Sequence, residues 1–290
     1  MPLVSIGLPV YNGENYVRVA IDAILAQTFR DFELIICDNA STDGTSAICE
    51  ELAATDDRIR YVRNEENLGA APNFNKCVDL ATGAYFKWAA HDDICLPDYL
   101  RCCVDRLEAE PDVSLCQTGV RFIDENGEVT LDYDQEDQMF TAQGRIAQFA
   151  AAIDEGHFCT TVFGLMRIEL LRQTTQIASY VGSDRSLISQ MALRGVLVQA
   201  PDPLFLSRDH RERSVRAMEL KDREAWFDTR NPVSARFYYF KMLRAHLGAI
   251  TAVSMPARMR LQAVKAIISW IWRWKRMFWR EVFDRRPSPG

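Results

Sequence analysis

The chain has 290 residues and lacks the paired spacings that build zinc clusters and disulfide scaffolds. It holds four histidines, and no two of its eight cysteines stand in Cys-x-x-Cys spacing, so neither a structural zinc site nor a paired redox motif is indicated. Cys37, Cys49, Cys77, Cys95, Cys102, Cys103, Cys116 and Cys159 lie mostly inside apolar runs and read as reduced core thiols of a cytoplasmic protein. No apolar run reaches about eighteen residues, so no transmembrane helix is expected. The opening Met1 to Val10 has no basic start and meets Pro9, which reads as a buried strand and not as a secretory leader. Net charge is only −6, with a pI near 5.4, and this speaks against a nucleic-acid partner.

What the chain does have is apolar material: 48% hydrophobic against 26% charged residues, enough for a sizeable core. The length suits one large domain with an appendage, or two modest domains. In the first half, strand-like and helix-like segments alternate. Leu3 to Pro9, Phe32 to Cys37, Ile59 to Arg63, Ala84 to Ala90 and Val113 to Phe122 read as strands. Helical patterns run from Glu14 to Gln27, from a cap at Ser41 or Thr42 to Leu52, from Pro72 to Ala81, and onward from Pro97. This alternation predicts an α/β fold with a mainly parallel, doubly wound sheet. Asp124-Glu125-Asn126-Gly127 reads as a hairpin turn, Gln143 to Ile153 as a helix and His157 to Met166 as extended. Asp184 to Arg194 is a helix stopped by Gly195, and Val196 to Ser207 is a strand.

Ligands of such sheets sit beyond the carboxyl ends of the strands, and the polar clusters fall there. Tyr11-Asn12 follows the first strand, Asp38-Asn39 the second, Asn67 precedes the third helix, and His91-Asp92-Asp93 ends the fourth strand. Asp92 and Asp93 offer hard oxygen ligands for Mg or Mn, although Asp93 is equally explained as an acidic helix-start residue. Asp38 offers an acceptor for a base or ribose, or simply an Asx-turn oxygen for the Ser41-Thr42-Asp43 backbone. Asp184 is a candidate general base or a plain N-cap. His210, among Arg208, Arg211 and Arg213, suits a diphosphate as ligand or charge partner, or forms a solvated basic turn.

The C-terminal seventy residues differ in kind. Ile267, Trp270, Ile271, Trp274, Phe278 and Val282 recur at helical spacing, with Lys265, Ser269, Arg273, Arg276 and Arg280 opposite and Trp272 and Trp279 near the boundary. A helix lying on an anionic membrane surface is expected here; the other reading is packing against protein. The charged stretch Glu212 to Asn231, broken by Asn231-Pro232, places a boundary between domains at 1–215 and 216–290.

Pro9-Val10-Tyr11-Asn12, the strand ending in Asp38-Asn39-Ala40-Ser41-Thr42-Asp43-Gly44, Asn67-Leu68-Gly69, and His91-Asp92-Asp93 with Pro97 occur in the order and at the intervals of family 2 glycosyltransferases. The resemblance is specific over Val4 to Val120 and looser to Ser214, and it does not cover the C-terminal helices. It implies a GT-A fold (Rossmann-like, with a C-terminal helical appendage), a nucleoside-diphosphate-sugar donor, Mg or Mn, and inversion by direct displacement. It implies donor-binding roles for Pro9, Tyr11, Asn12, Asp38, Asn67, Gly69, His91 and Arg213, and metal roles for Asp92, Asp93 and His210. Asp184 matches the catalytic base. Two positions depart from the family pattern: Ala90 stands at the first aspartate of the DXD motif, and Ser183 replaces the usual glutamate before the base. The acceptor is expected to be a saccharide or lipid-linked saccharide of a bacterial surface polysaccharide or glycolipid.

Two rivals stay open. A nucleotidyltransferase would want a basic glycine-rich loop after the first strand, and no lysine or arginine appears there before Arg18. A non-catalytic nucleotide-sugar-binding or scaffold protein would account for Ala90 and Ser183, against the retention of Asp38, Asp92 and Asp184.

Overall fold

The computed structural model describes residues 1–133, 137–154, 158–210, 226–229 and 237–283. Strands β1 (Val4–Val10), β2 (Phe32–Asp38), β3 (Ile59–Arg63) and β4 (Tyr85–Trp88) form a parallel block in the order β3-β2-β1-β4. Their connections run through α1 (Val17–Leu25), α2 (Thr45–Ala53) and α3 (Ala70–Leu80). The sheet then becomes mixed. β8 (Leu165–Arg167) is antiparallel to both β4 and β6 (Val113–Ile123), and β9 (Val196–Arg208) is parallel to β6. β5 (Ile94–Cys95) closes the far edge on β9, and β7 (Val129–Tyr133) hangs on β6 through the Asp124 to Gly127 hairpin. Among the described residues the sheet has nine strands.

Strands buried on both faces need apolar residues at every position, and β2 shows why. Ile35 and Cys37 face one core with Phe86, Trp88 and Leu187, while Leu34 and Ile36 face the other with Ile21, Leu100 and Leu107. Helices α1, α2 and α4 (Tyr99–Ala109) cover the second face. The first is covered by α3, α6 (Arg145–Ala152) and α8 (Ser183–Arg194), beside the short helices α5 (Asp137–Thr141) and α7 (Ile168–Leu171). All eight cysteines are free; Cys102 is half-buried and the rest are buried.

Several local expectations change. Neither Ser41 nor Thr42 caps α2, which begins at Thr45 after Gly44; the Ser41 hydroxyl is drawn instead to the backbone N–H of Asn12. The segment read as extended up to Met166 contains a 3-10 turn, Thr160–Phe163, before β8, and His157 lies outside the described residues. The domain boundary between 215 and 216 also falls outside them.

The C-terminal helices α9 (Tyr238–Ala252) and α10 (Ala257–Phe283) join the first core. Ile267, Trp270 and Phe278 are buried, with Ile271 and Trp274 half-buried; only Val282 of the expected membrane-facing set is exposed. That stripe therefore packs on protein. Its aromatic rings find Tyr239 and His246 of α9, a drier and denser environment than lipid headgroups.

His246 is fully buried, with its ring edge-on to Phe149 and Trp270 and Nδ1 3.3 Å from the Ser189 hydroxyl. Burial, reinforced by the Arg185 charge, pushes its pKa down from 6.5 to about 3. The unfolded chain therefore takes up the proton first as pH falls. Stability is complete above about pH 6.5 and drains away toward the folded value. About 2 kcal/mol is expected to be lost between about pH 7.5 and about pH 5. Denaturant melts at the two pH values will show this slope, and it should flatten in His246→Asn; equal slopes would remove His246 from the account.

Candidate active site

The site is assembled where β1, β2, β3 and β4 end. Asn12 turns the chain with φ 52°, in the left-handed region that asparagine tolerates. Its backbone N–H donates to Ser41 Oγ at 3.0 Å, and its Oδ1 accepts the Thr42 N–H at 2.9 Å, so the two strand-end loops are sewn together. Gly13 lies against His91: a Cβ there would sit 2.5 Å from the imidazole Cδ2. Pro9 is buried within β1, while Tyr11 leaves its ring exposed at the rim.

Asp38 is buried at the end of β2, its carboxylate engaged on both oxygens. Oδ1 accepts the Ser41 N–H at 2.9 Å; Oδ2 accepts the Ser46 and Tyr61 hydroxyls, each at 2.7 Å. Burial raises its pKa, but these hydrogen bonds outweigh it and hold the group below the ordinary carboxylate value. The Ser41 bond reaches the N–H three residues on, one further than an Asx-turn, and with the Ser46 and Tyr61 hydroxyls it ties the loop to the buried Asp38 carboxylate.

Its neighbour Asn39 leads an amide relay that the sequence reading passed over. Asn39 Nδ2 donates to Asn67 Oδ1 at 2.8 Å and to the Gly69 carbonyl at 3.1 Å, and its Oδ1 accepts the Leu68 N–H at 2.9 Å. Asn64 Nδ2 donates to Asn39 Oδ1 at 3.0 Å and to Asn73 Oδ1 at 2.9 Å, while its own oxygen accepts from Lys76. The visible signal was a polar residue recurring at each buried strand or helix end. Asn64→Leu is expected to cost about 1–3 kcal/mol by stranding buried partners. Denaturant melts will measure it, and a wild-type midpoint would show that the relay is dispensable.

Gly69 has φ 88°, and a Cβ on it would come within 2.6 Å of the Asp228 Cα. Residues 226–229 thus lie directly on the Asn67–Gly69 loop, and the Thr229 hydroxyl donates to the Asn67 carbonyl. Ser179 Oγ donates to Asp228 Oδ2 at 3.4 Å, and Asn75 exchanges two hydrogen bonds with the Ile177 backbone. These contacts fasten the segment leading to α8 beside the same loop.

After β4, the two carboxylates part company. Asp92 Oδ2 meets His210 Nε2 at 2.9 Å, and both side chains are largely buried. Asp93 is buried and its Oδ1 accepts the backbone N–H of Arg208 at 2.8 Å, a tie between this loop and the end of β9. Arg208, also buried, donates from Nε to the Asp92 carbonyl and from Nη1 to the Asp124 and Glu125 carbonyls. Its guanidinium lies 4.6 Å from the Tyr16 ring centroid, and Tyr16 in turn contacts His210. Neither Arg208 as a brace nor Tyr16 was singled out from sequence. Burial lowers the His91 pKa, against the nearby Asp92 charge, which raises it. Among the described residues no three His, Cys, Asp or Glu side chains gather into a metal cluster.

Asp184 is the second residue of α8 and half-buried; Gly182 precedes the helix, so the N-cap explanation of Asp184 does not hold. Its Oδ1 accepts the Arg185 N–H at 2.8 Å. Ser183 beside it is buried. Arg213 lies outside the described residues.

The structure resembles that of TarS from S. aureus in complex with UDP-GlcNAc, with a TM-score of 0.70 at 15% identity, covering 97% of this chain and 76% of that one. It also resembles the mannosyltransferase PcManGT from Pyrobaculum calidifontis in complex with GDP-Man and Mn2+, with a TM-score of 0.55 at 19% identity, covering 98% of this chain and 88% of that one. The fold is GT-A. In sequence, an uncharacterized glycosyltransferase of Methanocaldococcus jannaschii is 36% identical over 141 residues, which is 48% of this chain and 49% of the relative. The chain thus spans about half the length of that curated relative. The model of Glycosyl transferase family 2 matches residues 5–175, a stretch that runs from within β1 to beyond β8 and includes the Asp38, Asn67 and Asp92 loops, and the chain belongs to that family.

Proposed function

We propose that the chain transfers a sugar from a nucleoside-diphosphate sugar to an acceptor hydroxyl with inversion at the anomeric carbon, residues 1–215 carrying the chemistry. The observation that carries this reading is the Asp92–His210 pair, set at the end of β4 beside the loops that hold Asn12, Asp38 and Gly69. One carboxylate and one imidazole would leave room for Mg or Mn to take its other ligands from diphosphate and water. Asp92 and His210 would hold the ion, and when bound it would neutralise charge on the leaving diphosphate. Asp93 supports the site through Arg208. Pro9, Tyr11, Asn12, Asn67, Gly69 and His91 line the donor side, Arg213 adds charge there, and Asp38 fixes the turn.

Asp184 takes the proton from the acceptor hydroxyl. The acceptor oxygen then forms its bond to the anomeric carbon as the bond to the diphosphate oxygen breaks, the electron pair leaving with the nucleotide. The acceptor is a saccharide or lipid-linked saccharide in surface polysaccharide or glycolipid assembly, and the protein works in the cytoplasm at the inner face of the membrane. The free cysteines suit that compartment.

Hydrolysis of a panel of nucleotide sugars, with and without Mn, tests the reading. Metal-dependent release of nucleoside diphosphate from one donor is expected. Binding without turnover, with any acceptor offered, would favour the scaffold alternative, and no binding of any donor would overturn the site assignment.

A further inference from the structure

With one stripe of α10 spent on the protein core, the opposite stripe is left facing outward, and it is not a polar face. Leu261, Ile268, Trp272, Trp279 and Phe283 follow one another at intervals of seven, four, seven and four residues, which stacks them along one side of a helix. Trp272 is 71%, Trp279 63% and Phe283 69% exposed, and Trp279 stacks on Phe283 with ring centroids 4.9 Å apart. So large a run of exposed aromatic surface calls for a partner.

The charge around the stripe selects the partner. Lys265, Lys275 and Arg276 flank it, and the Lys275 ammonium lies 3.7 Å from the Trp272 ring centroid. The helix carries seven lysine and arginine side chains and one carboxylate, Glu281, in a chain where acidic residues outnumber basic ones 40 to 34. Glu281 is buried and accepts the Tyr239 backbone N–H, so the outer face shows no negative charge of its own. Apolar residues, interfacial tryptophans and cations along a single helix face complement the headgroup layer of an anionic bilayer. No helix among the described residues is long and apolar enough to cross a membrane, which fits a helix lying on the surface.

We infer that the outer stripe of α10, centred on Trp272 and Trp279 with Lys265, Lys275 and Arg276 at its margins, seats this protein on an anionic lipid surface. The inference rests on the placement at the inner membrane face proposed above. It also relocates the contact to the side of the helix opposite the stripe that sequence periodicity singles out. Helix α8, which carries Asp184, packs on α9, and α9 packs on α10, so lipid contact and the proposed base belong to one helical stack.

Flotation of the full chain with vesicles of phosphatidylglycerol and phosphatidylcholine, against phosphatidylcholine alone, tests it without donor or acceptor. A failure here would therefore leave the transfer reading untouched. Binding to the anionic vesicles alone is expected, and it should weaken as salt is raised. The double variant Trp272→Ser, Trp279→Ser should lose at least about tenfold in partitioning. The triple variant Lys265→Glu, Lys275→Glu, Arg276→Glu should lose the preference for anionic lipid. Both should keep wild-type melting, since the positions are exposed. Wild-type indifference to anionic vesicles would overturn the proposal, as would variants that bind like wild type. A wild-type dimer that the tryptophan variant converts to monomer, with no vesicle binding, would assign the stripe to a second copy of the chain instead. The wild-type salt titration stands by itself should a variant fail to fold.

Discussion

Asp184→Asn is expected to lower kcat by about 10²- to 10⁴-fold, the contribution of a positioned general base, with donor KM nearly unchanged. Asparagine keeps the shape of the side chain and the oxygen that accepts the Arg185 N–H, so the start of α8 should survive. The substitution removes the negative charge and the proton acceptor and little else. Gly182, and not Asp184, occupies the N-cap, so no capping energy is at stake and the melting free energy should stay within about 0.5 kcal/mol. Single-turnover transfer to an acceptor measures the effect. A variant with wild-type kcat would place the base elsewhere and leave Asp184 as an acidic residue complementing the helix dipole.

Asp92→Ala is expected to remove about 10³-fold or more of kcat/KM, because charge neutralisation by a bound cation is worth several kcal/mol in the transition state. Mn-dependent donor binding should weaken with it, and His210 loses its carboxylate partner. Asp93→Ala serves as the contrast. Its carboxylate holds the Arg208 backbone, so this variant should lose about 1–3 kcal/mol of stability while what folds retains a Mn response. Calorimetric titration of donor with and without Mn, beside denaturant melts, separates the two. If Asp93→Ala lost the Mn response and Asp92→Ala kept it, the ligand assignment would be reversed.

The parallel block was legible in the amino-acid sequence because its physics is local. Strands buried on both faces are written as unbroken apolar runs such as Phe32 to Cys37, and their carboxyl ends are marked by polar turns that must hold backbone and ligand alike. Order and spacing of those turns were enough to bring Asn12, Asp38, Asn67 and Asp92 to one rim and to indicate the family. Their division of labour was not legible. Adjacent aspartates look alike in a sequence, yet one meets His210 and the other a backbone amide, because β9 delivers Arg208 and His210 from far along the chain. The Asn39–Asn64–Asn67 relay stayed hidden for the same reason: its members are scattered through the sequence and meet only when β2, β3 and α3 pack.

The C-terminal helix shows the limit most plainly. Periodicity by itself pointed to an amphipathic helix between Val264 and Val282 with an aromatic side; the helix runs over Ala257–Phe283. A hydrophobic stripe, however, is satisfied equally by lipid and by protein, since burial depends on area removed from water and not on what removes it. Only tertiary packing against Tyr239 and His246 decided that Ile267, Trp270 and Phe278 turn inward, and so which tryptophans were left outside.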